Sequence, residues 1–351
     1  MAKSAPDPAA PGPFQMSDAL FVRRSLIFIA LCGLAAALYV LSDILLLVFG
    51  SILVAVMLHA IASPIHAKTK MGERFALLVA ALGVALVLGI TGYLFGSRIS
   101  SQLASLSADL PAAAKRLSTT VPSVSDLVKG SSIGELLVNA FSWGTTIFGA
   151  AATMIVVIVA GIYIAVSPDV YRNGFVMLFP KQQQDRIAET LDASGEALRL
   201  WLGGQLLAMI MVGALVAIGL AIVGVPSALA LGLIAGVTEF IPIVGPVIGS
   251  IPALLLASTQ GWDMVLWTVG VFVVVQQVES NIIMPLVAGR AVAVPPAVGL
   301  FAVVAIGVLF GPLGLLLGYP LAIVLDTVVR RLYVRDTLGE KVEIAGEKDD
   351  G

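Results

Sequence analysis

Apolar runs recur along the whole chain, at about 25–41, 44–61, 75–95, 144–166, 202–223, 225–257, 264–284 and 294–325. A helix needs about 20 residues to cross a hydrocarbon core of ~30 Å, so most of these runs have the length of a membrane span. In lipid every backbone N–H and C=O must be satisfied internally, which leaves helices or closed barrels. Continuous runs without period-two alternation point to helices. A soluble core could not hide them, because 59% of the chain is hydrophobic, 12% is charged and mean hydropathy is +1.02. Soluble domains average about 45–50% apolar and about 25% charged. The expected fold is an all-α polytopic integral membrane protein with about eight hydrophobic segments. A net charge of −2 offers no basic surface, so a nucleic-acid partner is not expected. The single cysteine, Cys32, excludes an internal disulfide and reads as a small packing residue.

Residues 1–20 open with MAKSAPDPAAPGPFQM, rich in Pro and Ala and without periodicity, and read as a disordered tail. Residues 21–335 form the membrane domain, and 336–351 a flexible tail. Arg23 and Arg24 before SLIFIALCGLAAALYV resemble a signal peptide, but a second run follows almost at once, so a retained anchor is expected. Only Ser42 and Asp43 separate these two runs, which predicts a tight helical hairpin. Lys and Arg set the orientation. Arg23 and Arg24, then His66, Lys68, Lys70 and Arg74, then Arg172, Lys181, Arg186 and Arg199, and finally Arg330, Arg331, Arg335 and Lys341 can share one side. That side is assigned to the cytoplasm, with both termini inside. The 97–140 segment then faces outward. Its Ile99, Leu103, Leu106, Leu110, Ala113 and Leu117 alternate spacings of four and three, the seam of an amphipathic helix. That seam suits packing on its own domain or a contact between subunits. Residues 168–200 carry Ile187, Leu191, Leu198 and Trp201 near one face, and read as a cytoplasmic interfacial helix leading into the next span.

Two runs are too long and too broken for simple spans. Residues 225–257 would make a straight helix of ~50 Å, about 20 Å more than the hydrocarbon core, and 294–325 is about as long. IPIVGP interrupts the first and FGPLG the second. GPVIGSIPALLLA and GPLGLLLGYPLAIVL are loosely alike, a weak internal repeat. Each run is either one kinked span or a re-entrant hairpin, and non-helical backbone at membrane depth must be buried in protein or line a cavity. Arg290 would be outside in the first topology and inside in the second, and so favours hairpins.

The breaks carry the candidate chemistry. Glu239 lies deep in its run, where a charged carboxylate costs about 2.5–3.5 kcal/mol even on a lenient scale. It should face a cavity, pair with a cation, carry a proton, or cap a half-helix. Pro242 and Pro246 have no N–H, so in a helix the carbonyls of Thr238 and Pro242 would lack donors. Those oxygens, with Glu239 and the Thr238 hydroxyl, would make an oxygen-rich site. Gly245 and Gly249 permit close backbone approach, whether for that site or for plain helix packing. In QQVESNIIMP, the residues Gln276, Gln277, Glu279, Ser280 and Asn281 cluster at the end of a span. Gln276, Glu279 and Ser280 share a helical face, and Pro285 leaves the Asn281 carbonyl unpaired. An interfacial turn in wet headgroups is the plainer reading of that cluster. Gln205 is a third buried amide. His59 and His66 lack ligand spacing, so no metal site is expected. Neither a P-loop nor G-x-S-x-G occurs, and no enzyme constellation or cofactor is expected.

EFIPIVGPVIGSIPA and QQVESNIIMPLVAGRAVAVPP resemble the signature segments of the autoinducer-2 exporter family of bacterial membrane proteins. The resemblance covers about 20–335, and the element order agrees. It implies a permease-like, ATP-independent transporter of the bacterial cytoplasmic (inner) membrane, expected to be a homo-oligomer. Some members are linked to export of the furanone signal autoinducer-2, and others to sodium or lithium exchange for protons. Many members carry an Arg before the Gly-Gln of the fifth span. Here WLGGQ has Gly203 at that place, with Arg199 one turn back. The expected function is secondary export of a small polar organic solute. The alternatives are a sodium (or lithium)/proton antiporter and a non-transporting membrane scaffold. The expected path is lined by Thr238, Glu239, Pro242, Gly245, Pro246, Gln205, Gln276, Glu279, Ser280 and Asn281, with Na+ or H+ coupling.

Overall fold

The computed structural model describes residues 18–69, 71–86, 146–285 and 294–340, together with Tyr93 and Ser101. The 97–140 seam and Arg290 therefore lie outside the described residues, apart from Ser101. Described elements are all helical: α1 (Asp18–Val40), α2 (Ser42–Thr69), α3 (73–86), α4 (Thr146–Val166), α5 (Pro168–Val176), α6 (Lys181–Val223), α7 (Ala228–Thr238), α8 (Val244–Ser258), α9 (Trp262–Val278) and α10 (Pro296–Val328). Short π-helical turns follow α9 (Glu279–Ile283) and α10 (Val329–Arg335). Among the described residues four helices have the length and composition to cross a membrane, and the pair α4–α5, bent by 85° at Ser167, would make a fifth if the two form one broken span. The chain is a multi-pass membrane protein.

At the α1–α2 junction Leu41 N–H donates to the Ala37 carbonyl and Leu45 N–H to the Leu41 carbonyl, each at 2.9 Å, so Leu41 closes one helix and opens the next, and Ser42 Oγ donates back to the Tyr39 carbonyl at 2.7 Å. This N-terminal piece, up to Leu45, is a unit distinct from the rest.

From Leu46 onward, α6 organises the fold. Its 43 residues give ~65 Å at 1.5 Å per residue, twice a hydrocarbon core. Charged residues from Lys181 to Arg199 mark one half as aqueous, and Leu200–Val223 is apolar enough to cross. One stripe of α6 is buried throughout: Ala197, Leu198, Trp201, Gln205, Ala208, Val212, Val216 and Leu220. The spacing of three or four residues is that of one helical face. At its end Gly224, with φ 88°, closes the helix, and Val225 N–H returns to the Leu220 carbonyl at 2.9 Å.

Small residues let α7 lie directly on α6. A Cβ on Gly236 would sit 2.7 Å from the Met209 carbonyl oxygen and 3.0 Å from Gly213 Cα. A Cβ on Gly213 would meet the Gly232 oxygen at 3.1 Å. The glycines at 232 and 236 thus face Gly213 and Ala217, which is small-xxx-small packing on both helices. Around this crossing α6–α9 bury one core, including Val216, Leu220, Leu231, Ala253 and Ile283. A second core joins Leu46 and Leu53 of α2 to Leu198 and Trp201 of α6 and to Leu317 and Ile323 of α10. A third is made by α2, α3 and α4, where Gly161 lies against Val54 and Ser51.

Both broken runs double back. Gly249 of α8 packs against Ala235 and Thr238 of α7. In α10 the chain turns at Gly311 (φ 68°, ψ −151°), and its limbs then pair antiparallel. Gly318 lies against Val303, Gly314 against Ile306, and Gly299 against the Tyr319 ring. In a straight helix Val303 and Gly318 would stand about 22 Å apart. The backbone at Gly311 is in a region that only glycine adopts without strain, and nothing stands within 4 Å of a Cβ there. Gly311→Ala is therefore expected to cost roughly 1–3 kcal/mol through backbone conformation alone, read as a lower melting midpoint of the detergent-purified protein.

At the charged end, α6 is tied to the end of α10. Arg186 donates to the Asp336 carboxylate and the Leu332 carbonyl, and Arg331 donates to Glu189 at 2.7 Å. Arg172 of α5 clasps Asp192 through two bonds. Exposed pairs are individually worth about 0–1 kcal/mol. The Arg331 side chain is only 10% exposed, so its pairing with Glu189 matters more, because a buried charge left without its partner is costly.

Candidate functional site

The first hairpin turns between Thr238 and Val244. Glu239 N–H still closes the helix on the Ala235 carbonyl at 3.0 Å. Prolines at 242 and 246 then forbid continuation. Their consequence differs from the expectation that they strip two carbonyls of donors. The Thr238 carbonyl accepts from Ile241 N–H at 3.0 Å, and the Pro242 carbonyl from Val244 N–H at 2.8 Å. Tighter turns thus recapture both oxygens. The second is a three-residue γ-turn centred on Ile243 (φ 72°, ψ −46°), the rarer and strained hand of that turn. Gly245 completes the reversal: a Cβ there would collide with the Thr238 carbonyl, and its own N–H bonds the Ile241 carbonyl at 2.8 Å.

This turn buries Glu239, which is 2% exposed. From α6, Gln205 (6% exposed) donates its Nε2–H to the Glu239 main-chain carbonyl. One hydrogen bond thereby fixes the bend to the organising helix. From the end of α9 comes Glu279, 5% exposed, whose carboxyl lies within hydrogen-bonding reach of the Glu239 carboxyl. Gln276, one turn earlier, donates to Glu279 Oε2 at 2.9 Å. Among the described residues, Glu239 Oε2 is buried with no hydrogen-bond partner, and neither carboxyl has a cationic neighbour.

Two carboxyls side by side and out of water cannot both be anionic without a counter-charge. The arrangement can hold one proton between them, or accept a small cation. Either event changes the charge of the bend. No group of three or more His, Cys, Asp or Glu suited to a metal ion occurs among the described residues.

The structure brings Glu239, Glu279, Gln205 and Gln276 together, with Thr238 at the rim. Thr238 Oγ1 donates to the Ala235 carbonyl at 3.0 Å and lies where a Cβ on Gly249 would meet it at 2.6 Å. Pro242, Gly245 and Pro246 shape the turn. Ser280 and Asn281 do not join: both are exposed, and Asn281 Nδ2 donates back to the Gln277 carbonyl and side-chain oxygens at 2.8 and 3.1 Å. A π-turn starts at Glu279, and within it Glu279 and Ile283 are buried while Ser280 and Asn281 face outward. Arg199 does not reach the pair either, since its guanidinium is held by Glu196 at 2.7 and 2.8 Å. A groove of about 410 Å³ beside the α6–α7 crossing includes Met209, Ile210, Leu229 and Leu233 and none of these polar groups. Its lining offers nothing to orient a polar solute.

The site residue that sequence reasoning missed is Trp201. Its ring stands edge-on to Phe240, with centroids 5.7 Å apart, and stacks on Tyr319 at 5.6 Å. Its register four residues before Gln205 was the available signal, because i and i+4 share a helix face.

A family model described as AI-2E family transporter matches residues 27–333. Two Bacillus subtilis (strain 168) proteins are similar: "Putative transport protein YrrI" is 37% identical over 43% of this chain, and "Putative transport protein YueF" 34% identical over 36%. "Putative transport protein MT0215" of Mycobacterium tuberculosis (strain CDC 1551 / Oshkosh) is 31% identical over 48% of this chain. These matches cover 43%, 34% and 46% of the relatives' own lengths, so the chain spans less than half of each.

Proposed function

Because the chain belongs to the AI-2E transporter family, we propose that it is a secondary transporter of the bacterial inner membrane whose driving ion is exchanged at the Glu239–Glu279 pair. The cargo is a small polar organic solute such as autoinducer-2, moved outward by alternating access. The observation that carries this reading is the buried carboxyl pair, which has no cationic side chain beside it among the described residues. A proton or sodium ion taken up there lowers the negative charge of the bend by one, and its release restores it, which gives two states of different cost in a low-dielectric site. Half-length helices that meet around such a pair suit a transporter, since discontinuous helices near the midplane are a recurring way to build a substrate or ion site. In this reading the two hairpins are re-entrant, both termini are cytoplasmic, and the hairpins move against a static part built from the early spans, which also make the contacts of a homo-oligomer.

The second reading is sodium or lithium exchange for protons, with the ion itself as cargo. The same pair favours it, because two carboxyls that share one counter-charge can take it either as a proton or as a small cation. Reconstituted vesicles separate the two. Efflux of polar solutes should depend on a pH or sodium gradient if the first reading holds. Sodium-dependent proton movement with no organic solute present would transfer the proposal to the second. Absence of both fluxes would end it.

A further inference from the structure

Glu239 and Glu279 are closed to solvent in this structure, at 2% and 5% exposure. An ion or proton can reach them only if something moves. Along α6, the charged segment ending at Arg199 is aqueous in character, and Gln205 marks the level of the pair through its bond to the Glu239 carbonyl. Trp201 lies between them. It is 7% exposed and sits on the same buried stripe as Gln205.

Its ring is held by both hairpins. Phe240, the residue after Glu239, meets the Trp201 ring edge-on at 74°. Tyr319, on the returning limb of the second hairpin, stacks on it at 29°. Gly299 on the other limb makes room for that tyrosine, since a Cβ there would stand 2.5 Å from the ring. Leu198, Leu202, Leu313 and Leu317 fill in around the three rings. Each aromatic pair is worth about 0.5–1.5 kcal/mol beyond area burial, an amount that can be broken and remade in a transport cycle.

We propose that Trp201 is the gating residue of the carboxyl pair: its ring, wedged between Phe240 and Tyr319, seals the route from the charged end of α6 and couples the two hairpins, so that withdrawal of either opens it. The proposal rests on the transport reading above but is tested without measuring transport. The seal acts through Phe240, whose backbone neighbour is Glu239, so moving the ring contact moves the carboxyl as well. Tyr319 brings the second hairpin into the same event.

The test uses full-length protein with Cys32→Ser and a Thr238→Cys reporter beside Glu239, in sealed vesicles of both orientations, with a charged, membrane-impermeant methanethiosulfonate. Adding Trp201→Ala should raise the labelling rate by about tenfold from one face only, the population shift expected when a closed state loses its main contact. Trp201→Phe, which keeps a ring, should label near the parent rate. Should Trp201→Ala fail to assemble, as judged by size-exclusion chromatography, Phe240→Ala removes the opposing ring and should give the same one-sided rise. Labelling at the parent rate in both alanine variants would overturn the seal. A rise that is equal from both faces would overturn it too, since that is general loosening. If the transport reading alone is wrong, the one-sided contrast survives while the parent carries no flux. If the seal alone is wrong, flux still depends on Glu239 while labelling stays flat.

Discussion

Glu239→Gln will lower gradient-driven flux through the reconstituted protein by roughly a hundredfold or more, corresponding to about 2.7 kcal/mol or more at 1.36 kcal/mol per tenfold, while the protein still folds. Glutamine has the same shape and is neutral at every pH. Glu239 Oε2 has no hydrogen-bond partner among the described residues, and a glutamine amide can still pair with the Glu279 carboxyl, so the replacement strands no partner. The Gln205 contact survives, since it is made to the main-chain carbonyl. What disappears is the capacity of the bend to change charge. Glu279→Gln should also stop flux, with a small cost in stability, because Gln276 then loses a carboxylate acceptor. Flux and melting midpoint measured on the same preparations decide the matter. Unchanged flux in Glu239→Gln would remove the pair from the mechanism.

Gly236→Val will lower the melting midpoint of the purified protein by roughly 5–10 °C or prevent its assembly. The argument is steric. The added Cβ would press on the Met209 carbonyl and Gly213 Cα, and backbone cannot rotate away as a side-chain tip can. The helices must separate, which opens the core that contains Val212, Val216 and Leu231. Overpacking typically costs about 1–3 kcal/mol, and at roughly 2–4 °C per kcal/mol the shift follows. Gly203→Ala on the same helix is the control. Nothing lies within 4 Å of its Cβ position, so it should hold or slightly raise the midpoint, alanine being the better helix former by about 1 kcal/mol. Similar midpoints for the two variants would show that the crossing is not tightly packed.

Much of this could be read from the sequence. Proline and glycine at 242, 245, 246, 311 and 312 marked both breaks, because they act on their own backbone. The carboxylates at 239 and 279 stood out because lipid makes them costly. Two other matters were not legible. The carbonyls of Thr238 and Pro242 were expected to be free, yet turns of four and three residues capture them. Which tight turn forms depends on backbone angles such as those at Ile243 (φ 72°, ψ −46°) that no residue type there dictates. The meeting of Glu239 with Glu279 also spans two helices and carries no periodic signal, since it depends on how α9 docks on α6. That docking is set by Gly219, where a Cβ would stand 2.6 Å from a Val271 methyl.

A β-branched residue at positive φ makes the first hairpin's bend a loaded spring. Backbone held in such a region costs roughly 1–3 kcal/mol, so any rearrangement that lets Ile243 relax is favoured by roughly 5- to 150-fold. The rings of Phe240 and Trp201 are therefore a latch on something already pushing against it. The closed bend needs no large input to open, only the loss of a contact worth about as much as the strain it restrains.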